Sequence, residues 1–155
     1  MKAPDTQIFH YVLKDMESVY ELSEVLAKHF PRPQQYTLAI YELLINAVEH
    51  GNLEIGFESK TKLLREGALR EEIARRLAMP HYAARQVHVK VERSIKACSL
   101  MIIDDGKGFT WEKFLNREPD VALPNGRGLH IAQCAVFDAM EFNKTGNAVL
   151  CEVRK

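Results

Sequence analysis

The stretch from Tyr41 to Gly51, YELLINAVEHG, constrains the fold of this chain more than any other segment. It has the apolar content of a buried helix and carries a single polar stripe. At about 100° per residue, four polar residues fall in one narrow sector, and the other side carries Ile40, Leu43, Leu44, Ala47 and Val48. These four residues are Glu42, Asn46, Glu49 and His50. Taken alone, the segment is typical of an amphipathic helix whose polar stripe faces water.

Two glycine motifs lie further along the chain. The peptide MIIDDGKGF, residues 101–109, places Asp104 and a pair of glycines at the end of an apolar strand. The peptide PNGRGLHI, residues 124–131, places a second pair of glycines at the start of an apolar helix. Either motif alone is typical of an ordinary turn. The order of the three motifs along the chain, with the polar-striped helix first and the two glycine motifs after it, is more informative than each motif by itself.

Together the three motifs resemble the N, G1 and G2 boxes of the GHKL ATPase superfamily. The matching patterns are Glu-x-x-x-Asn on a helix, Asp-x-Gly-x-Gly after a strand, and Gly-x-Gly before a helix. The chain looks most like the bacterial anti-sigma-factor serine kinases and the related ATPase domains of response regulators and phosphatases. The resemblance covers nearly the whole chain, except for residues 54–86, and it implies the Bergerat ATP-binding fold.

Hydrophobic periodicity predicts a similar architecture without reference to any family. Strands are predicted at 7–13, 87–95, 98–104, 139–143 and 148–154, and helices at 15–29, 34–50, 63–67, 69–78, 111–115 and 128–136. Helices thus alternate with strands that pair mainly as hairpins. We therefore expect an α/β (α+β) two-layer sandwich, with a mixed, mostly antiparallel sheet and helices on one face. Residues 1–155 are expected to form one domain with a helical insertion at about 54–86.

Composition excludes several classes of function. Lys+Arg and Asp+Glu both total 21, so there is no basic excess for nucleic acid or anionic lipid. We find no signal peptide and no apolar run long enough to span a bilayer. The three cysteines are widely spaced in apolar surroundings and indicate buried free thiols in a reducing cytoplasm. They are Cys98, Cys134 and Cys151.

The resemblance assigns the adenine-binding role to the first glycine motif. Asp104 would accept a hydrogen bond from the adenine amino group, while Gly106 and Gly108 would leave space for the base and open the lid. A structural alternative is that Asp104 and Asp105 only begin the turn before Gly106, as aspartates often do.

The helix supplies the metal and catalytic candidates. Mg²⁺ prefers few protein oxygens, several waters and phosphate oxygens, which a single amide oxygen suits. Asn46 is therefore the expected Mg²⁺ ligand, by analogy with the N-box asparagine. Glu42 lies one turn earlier on the same face and would orient the hydroxyl group that attacks the γ-phosphate. A solvated helix-surface role is the alternative for each residue.

The second glycine motif is expected to bind the phosphates. Free N–H groups and the helix dipole favour phosphate at a helix N-terminus, and glycines leave the backbone unobstructed. The residues expected here are Asn125, Gly126, Arg127, Gly128, Leu129 and His130. Arg127 or Lys107 would add positive charge, although each is also explained as a solvated lid residue. Residues 110–125 would form a short ATP lid.

Two functions fit these expectations. The first is an ATP- and Mg²⁺-dependent protein serine kinase of the anti-sigma-factor type, which phosphorylates a small antagonist protein in a partner-switching pathway. Its partners would be ATP or ADP together with an anti-sigma-factor antagonist, a sigma factor or a receiver domain. The second is a nucleotide-binding output module of a response regulator or signalling phosphatase, without kinase activity. The presence of both Glu42 and Asn46 favours catalysis.

The segment at 54–86 departs from the compact anti-sigma kinases. Its second predicted helix has one apolar face formed by Leu69, Ile73 and Leu77. Two roles are open for this face: packing on the domain itself, or forming a surface for a client protein or a homodimer. We expect the segment to form one or two helices beside the N-box helix and outside the nucleotide pocket.

Overall fold

The computed structural model describes residues 5–13, 15–108 and 136–155. The elements in chain order are β1 (Gln7–Leu13), α1 (Val19–Ala27), α2 (Pro33–Asn46), a π-helical turn (Ala47–Asn52), α3 (Phe57–Glu66), α4 (Leu69–Leu77), α5 (Pro80–Ala83), β2 (Val87–Arg93), β3 (Ala97–Asp104), β4 (Ala139–Phe142) and β5 (Ala148–Arg154). The predicted α/β class with its five strands is confirmed. The helix predicted at 111–115, most of that at 128–136, and Cys134 lie outside the described residues.

The strands form one sheet in the order β1-β2-β3-β5-β4. All four described pairings are antiparallel, so no parallel pair of the expected mixed sheet occurs among the described strands. The β2–β3 hairpin closes through Ser94, whose hydroxyl oxygen accepts hydrogen bonds from the backbone N–H groups of Lys96 and Ala97 at 3.2 Å. Asp104 therefore lies at one end of β3, and this hairpin turn lies at the other.

One face of the sheet packs on the helices, and this follows from the strict alternation of side chains in β2, β3 and β5. The buried residues on that face are Val87, Val89, Val91, Cys98, Leu100, Ile102, Cys151 and Val153. On the other face, His88 and Val12 are exposed. Buried thiols were predicted for Cys98 and Cys151, and both are free and buried. Burial raises their pKa values to about 11 and about 12, so neither thiol ionises near neutral pH.

Helix α2 provides the opposing side of the core. Pro33 occupies its first turn, where a missing N–H costs nothing, and Ile40, Leu43 and Leu44 are almost fully buried. The predicted helix continues past Asn46, but its last turn is π-helical. The N–H of Leu53 bonds to the carbonyl of Val48, five residues earlier, at 2.9 Å. The helical path thus ends at Asn52. The pair Gly51-Asn52 directly follows the helix predicted at 34–50 and is a typical sequence signal for a helix stop.

The segment 54–86 folds as three short helices. Helix α3 begins earlier than predicted and ends at Gly67, whose φ of 68° is the left-handed conformation that glycine adopts readily. Helix α4 buries Ile73, which is 9% exposed, and places Leu69 and Leu77 partly against the core. This face therefore packs on the domain, which is the first of the two roles proposed for it. No helix in the described ranges is long and apolar enough to cross a membrane.

Candidate functional site

The end of β3 places a carboxylate inside the protein. Asp104 is only 5% exposed, and its backbone N–H bonds to the carbonyl of Asn147 in the β4–β5 turn at 2.9 Å. Its Oδ1 accepts the N–H of Gly106 at 2.8 Å. Burial raises the pKa of Asp104 to about 6, although the Gly106 hydrogen bond opposes the rise. The negative charge of Asp105 adds to this rise, and Arg85 opposes it. Asp104 is thus an acceptor at pH 7 and a neutral acid at pH 5.

Three backbone segments meet at this carboxylate without space for a side chain. A β-carbon built on Gly51 would lie 2.4 Å from Asp104 Cγ, and one on Gly106 would lie 2.1 Å from the carbonyl oxygen of Gly51. Gly108 has a φ of 86° and faces the carbonyl oxygen of Thr145. Gly106 and Gly108 were expected to leave space for a ligand. In the structure, Gly106 permits close contact with the Gly51 backbone, and Gly108 permits close contact with the Thr145 backbone.

A cleft brings together the candidates from two distant parts of the sequence. Asn46 of α2 and Asp104 of β3 line the same depression, with the β4–β5 turn as its third wall. The remaining lining residues are Leu43, Ala47, Ile102, Phe142, Gly146, Asn147, Ala148 and Val149. The depression encloses about 20 Å³. Pockets for drug-sized ligands usually enclose roughly 300–1,000 Å³, so a nucleoside requires this cleft to widen.

The side chain of Asn46 is partly exposed at this cleft. It makes no hydrogen bond to another described residue. The described residues contain no group of three His, Cys, Asp or Glu side chains that could hold a metal ion by themselves. A Mg²⁺ ion that kept its waters and bound phosphate would need no such group. The free amide oxygen of Asn46 therefore fits an ion bound mainly by a nucleotide.

Glu42 lies one turn before Asn46 and is half-buried. Burial raises the pKa of its carboxyl group, the ammonium group of Lys60 opposes the rise, and Glu49 adds to it. Glu49 is 3% exposed, and its carboxylate lies 2.5 Å from the Nζ atom of Lys60. The interpretation of the polar stripe as a solvated face is therefore wrong for Glu49, because α3 covers it and supplies its counter-ion.

His50 does not add a charge to the cluster of Glu42, Glu49 and Lys60. Burial, together with a smaller effect of the Lys60 charge, lowers its pKa to about 4, and the hydrogen bond to the Ile55 backbone opposes this shift. The ring is neutral at pH 7, and its Nδ1 lies 2.5 Å from the carbonyl oxygen of Ile55. Because a carbonyl only accepts, Nδ1 carries the proton and His50 ties the π-helical turn to the following segment.

Sequence reasoning missed the residues that join the segment 54–86 to the site. The Nη1 atom of Arg85 donates to the carbonyl of Asn52 at 2.7 Å, and that of Arg76 donates to Leu53 at 2.6 Å. The amide oxygen of Asn52 accepts the N–H of Asp105 at 2.7 Å. Asn52 was interpreted only as part of a helix stop. A buried asparagine directly after glycine, pointing towards a second backbone, leaves no signal in local sequence patterns.

Two wider concavities lie elsewhere on the described surface. One of about 450 Å³ follows α3. Another, of about 610 Å³, lies at the hairpin end of the sheet and has a basic rim that includes Arg93, Arg154 and Lys155. These cations already have partners: Arg93 bonds Gln7, Arg154 lies near Glu152, and Lys155 bonds the Ser94 carbonyl. The cleft at Asp104 is the smaller concavity, and the buried carboxylate and packed glycines are the features that make it the candidate site.

The candidate phosphate-binding residues, Asn125 to His130, and the lid at 110–125 lie outside the described residues. Their roles remain predictions from sequence. Comparison of the chain with models of known protein families and with curated proteins gave no match.

Proposed function

We propose that this protein is an ATP-binding serine kinase of the anti-sigma-factor type, which phosphorylates a small antagonist protein in the cytoplasm. One observation carries the proposal. Asn46 and Asp104, which are far apart in the sequence, line one cleft, and Glu42 lies one helical turn from Asn46. A buried acceptor, an amide oxygen and a carboxylate of raised pKa are the groups that adenine, Mg²⁺ and a nucleophilic hydroxyl require.

Each residue has a separate role in this proposal. Asp104, ionised above about pH 6, accepts a hydrogen bond from the adenine amino group. Asn46 provides an amide oxygen for Mg²⁺, which supplies charge neutralisation at the phosphates when bound. Asn125 to His130 would surround the phosphates with N–H groups and the positive charge of Arg127.

Glu42 acts in the transfer step. The serine oxygen of the antagonist attacks the γ-phosphorus, and the bond from that phosphorus to the β,γ-bridging oxygen breaks, releasing ADP. The proton of the serine hydroxyl passes to the Glu42 carboxylate. Because burial raises the pKa of Glu42, this carboxylate accepts a proton more readily than a solvated glutamate would.

Calorimetry with Mg·ATP and Mg·ADP tests the binding part of the proposal. We expect dissociation constants in the micromolar-to-millimolar range, about −8 to −4 kcal/mol. Asn46→Ala should reduce the Mg²⁺ dependence of ATP affinity more than it reduces affinity measured in EDTA. Absence of any nucleotide heat from the wild-type protein would contradict the proposal.

Transfer is tested separately with [γ-³²P]ATP and purified small antagonist proteins of the anti-sigma-factor type. Label on an antagonist serine supports the kinase. Nucleotide binding without transfer supports the alternative, a nucleotide-binding output module of a response regulator or signalling phosphatase. The matched variant Glu42→Gln keeps the size of the side chain and should abolish labelling while ATP still binds.

A further inference from the structure

Asn52 is buried beside the proposed adenine acceptor and does not face the cleft. Its side chain is at the end of the π-helical turn, and the residue is 4% exposed. The amide oxygen accepts the N–H of Asp105 at 2.7 Å, and this N–H belongs to the peptide that directly follows Asp104. The position of that peptide, and hence of the Asp104 side chain, is therefore set by a side chain from another element.

Asn52 is itself held in place by the segment 54–86. Its carbonyl oxygen accepts a hydrogen bond from Arg85 at 2.7 Å, and the Arg85 guanidinium lies over the ring of Tyr82, 5.3 Å from its centre. The next residue, Gln86, donates its N–H to the Asp105 carboxylate at 2.8 Å. Arg85, Asn52, Asp105 and Gln86 thus form a closed ring of contacts around the end of β3.

This ring determines where the free oxygen of Asp104 points. Oδ1 is bonded to the N–H of Gly106, and no other described residue donates a hydrogen bond to Oδ2. Hydrogen bonds weaken steeply when distance and angle depart from their optimum. Binding constellations must be held to about 0.5 Å, which needs supporting residues behind the contacting ones. If Asp104 were displaced, its carboxylate would no longer be placed to accept a hydrogen bond from the adenine amino group. The preference for an amino group over a carbonyl would then weaken.

We propose that Asn52 is a positioning residue that gives the site its selectivity for adenine over 6-oxo purines, by holding the Asp104–Asp105 peptide in place. This inference rests on the proposed function. It also gives the segment 54–86 a role at the nucleotide, because Arg85 and Gln86 complete the ring of contacts. A molecule that bound to this segment would therefore change the selectivity for the base more than it changed the binding of the phosphates.

The test compares ATP with inosine triphosphate, which has an oxygen where adenine has its amino group. Calorimetry with Mg²⁺ and the full chain gives both dissociation constants for each variant. We expect the wild type to prefer ATP by at least about tenfold, the value of one good hydrogen bond. Asn52→Ala should reduce this ratio to within about threefold, because Asp104 loses its fixed position.

Two variants separate positioning from a loss of stability. Ser94→Ala removes a similar side-chain-to-backbone hydrogen bond at the opposite end of β3, and it should leave the ratio unchanged. Asn52→Asp retains an acceptor of the same shape, so the ratio should be retained while its added negative charge weakens both affinities.

If Asn52→Ala does not fold, Arg85→Met removes the hydrogen bond that holds the Asn52 carbonyl and should lower the ratio in the same direction.

The outcomes distinguish the inference from the proposed function. A folded Asn52→Ala protein that keeps the wild-type preference for ATP overturns the inference alone, and so does an unchanged ratio in Arg85→Met when Asn52→Ala is unfolded. Wild-type protein that binds neither nucleotide overturns the proposed function together with the inference. Equal wild-type affinity for both nucleotides overturns the adenine role of Asp104 and, with it, the inference.

Discussion

Gly51 lies directly against the carboxylate of Asp104, so that a β-carbon on Gly51 would be 2.4 Å from Asp104 Cγ and Oδ2. This contact joins the end of the polar-striped helix to the end of a sheet strand. It also gives a sensitive test of the site, because a single methyl group must displace either the helix end or the buried carboxylate.

We predict that Gly51→Ala destabilises the protein by about 1–3 kcal/mol, the usual effect of overpacking. The variant should also weaken ATP binding, because Asp104 must move. Gly56→Ala is the matched control, since a β-carbon there meets nothing within 4 Å. Urea denaturation and calorimetry on both variants measure the two effects. Equal behaviour of Gly51→Ala and Gly56→Ala would show that Gly51 and Asp104 are not in contact in solution.

Asp104→Asn should bind ATP about 10- to 100-fold more weakly, because a hydrogen bond to a charged acceptor contributes about 1.5–3 kcal/mol. In the wild type, ATP affinity should fall as the pH is lowered through about 6, where Asp104 becomes protonated. The variant should lack this pH dependence. Calorimetry from pH 5 to pH 8 measures it, and parallel curves for the two proteins would remove Asp104 from the adenine site.

The same carboxylate should reduce the stability of the folded protein. Its folded pKa of about 6 lies above the ordinary value of 3.8, so the folded state binds more protons between these values. The free energy of unfolding should therefore fall as the pH rises from about 4 to about 6. Asp104→Asn should be more stable than wild type at pH 7.5, by up to about 3 kcal/mol. A constant difference between the two proteins from pH 4 to pH 7.5 would contradict this.

Glu42→Gln should retain nucleotide affinity and lose about 10²–10⁴-fold in the rate of phosphoryl transfer. In the proposed mechanism Glu42 acts in its ionised form, and its pKa is raised, so wild-type transfer should decline as the pH falls through that raised pKa. Single-turnover rates with labelled ATP at several pH values measure this. A transfer rate in Glu42→Gln equal to that of the wild type would exclude Glu42 as the base.

The ion pair between Lys60 and Glu49 should contribute strongly, because the two side chains are only 14% and 4% exposed. Lys60→Met leaves a buried carboxylate without a counter-ion and should cost about 3–5 kcal/mol. Adding Glu49→Leu should recover part of that loss. Lys62, whose pair with Glu66 is 77% and 53% exposed, gives the control, and Lys62→Met should change stability by less than about 1 kcal/mol. Additive effects of the Lys60 and Glu49 substitutions, measured by denaturation, would show that the two charges do not interact.

The sequence predicted the central strands well. Strand β2 alternates apolar and polar residues, whereas β3 and β5 are mostly apolar runs, and each was placed to within about two residues of its observed ends. Helix α3 was placed too late because its first turn, from Phe57 to Lys60, has little apolar periodicity. Its first turn contacts the π-helical turn through the ion pair of Lys60 with Glu49, a contact that local patterns do not contain.

The candidate site residues were predicted from sequence motifs. The residues that contact and position them were not predicted. Glu42, Asn46 and Asp104 belong to recognisable patterns, whereas Lys60 and Asn52 act on residues that are distant in the sequence. Glu49 was placed on a polar face because its helical angle falls in the same sector as those of Glu42 and Asn46. Only the fold of α3 over that face shows that the carboxylate is buried and paired.

Two consecutive residues of the π-helical turn, Gly51 and Asn52, meet two consecutive residues at the end of β3, Asp104 and Asp105. Inserting or deleting one residue between Glu42 and Gly51 would rotate Gly51 and Asn52 by about 100° relative to the preceding helix. This rotation would separate both residues from Asp104 and Asp105. The number of residues in this stretch is therefore constrained in addition to the apolar character of its buried residues.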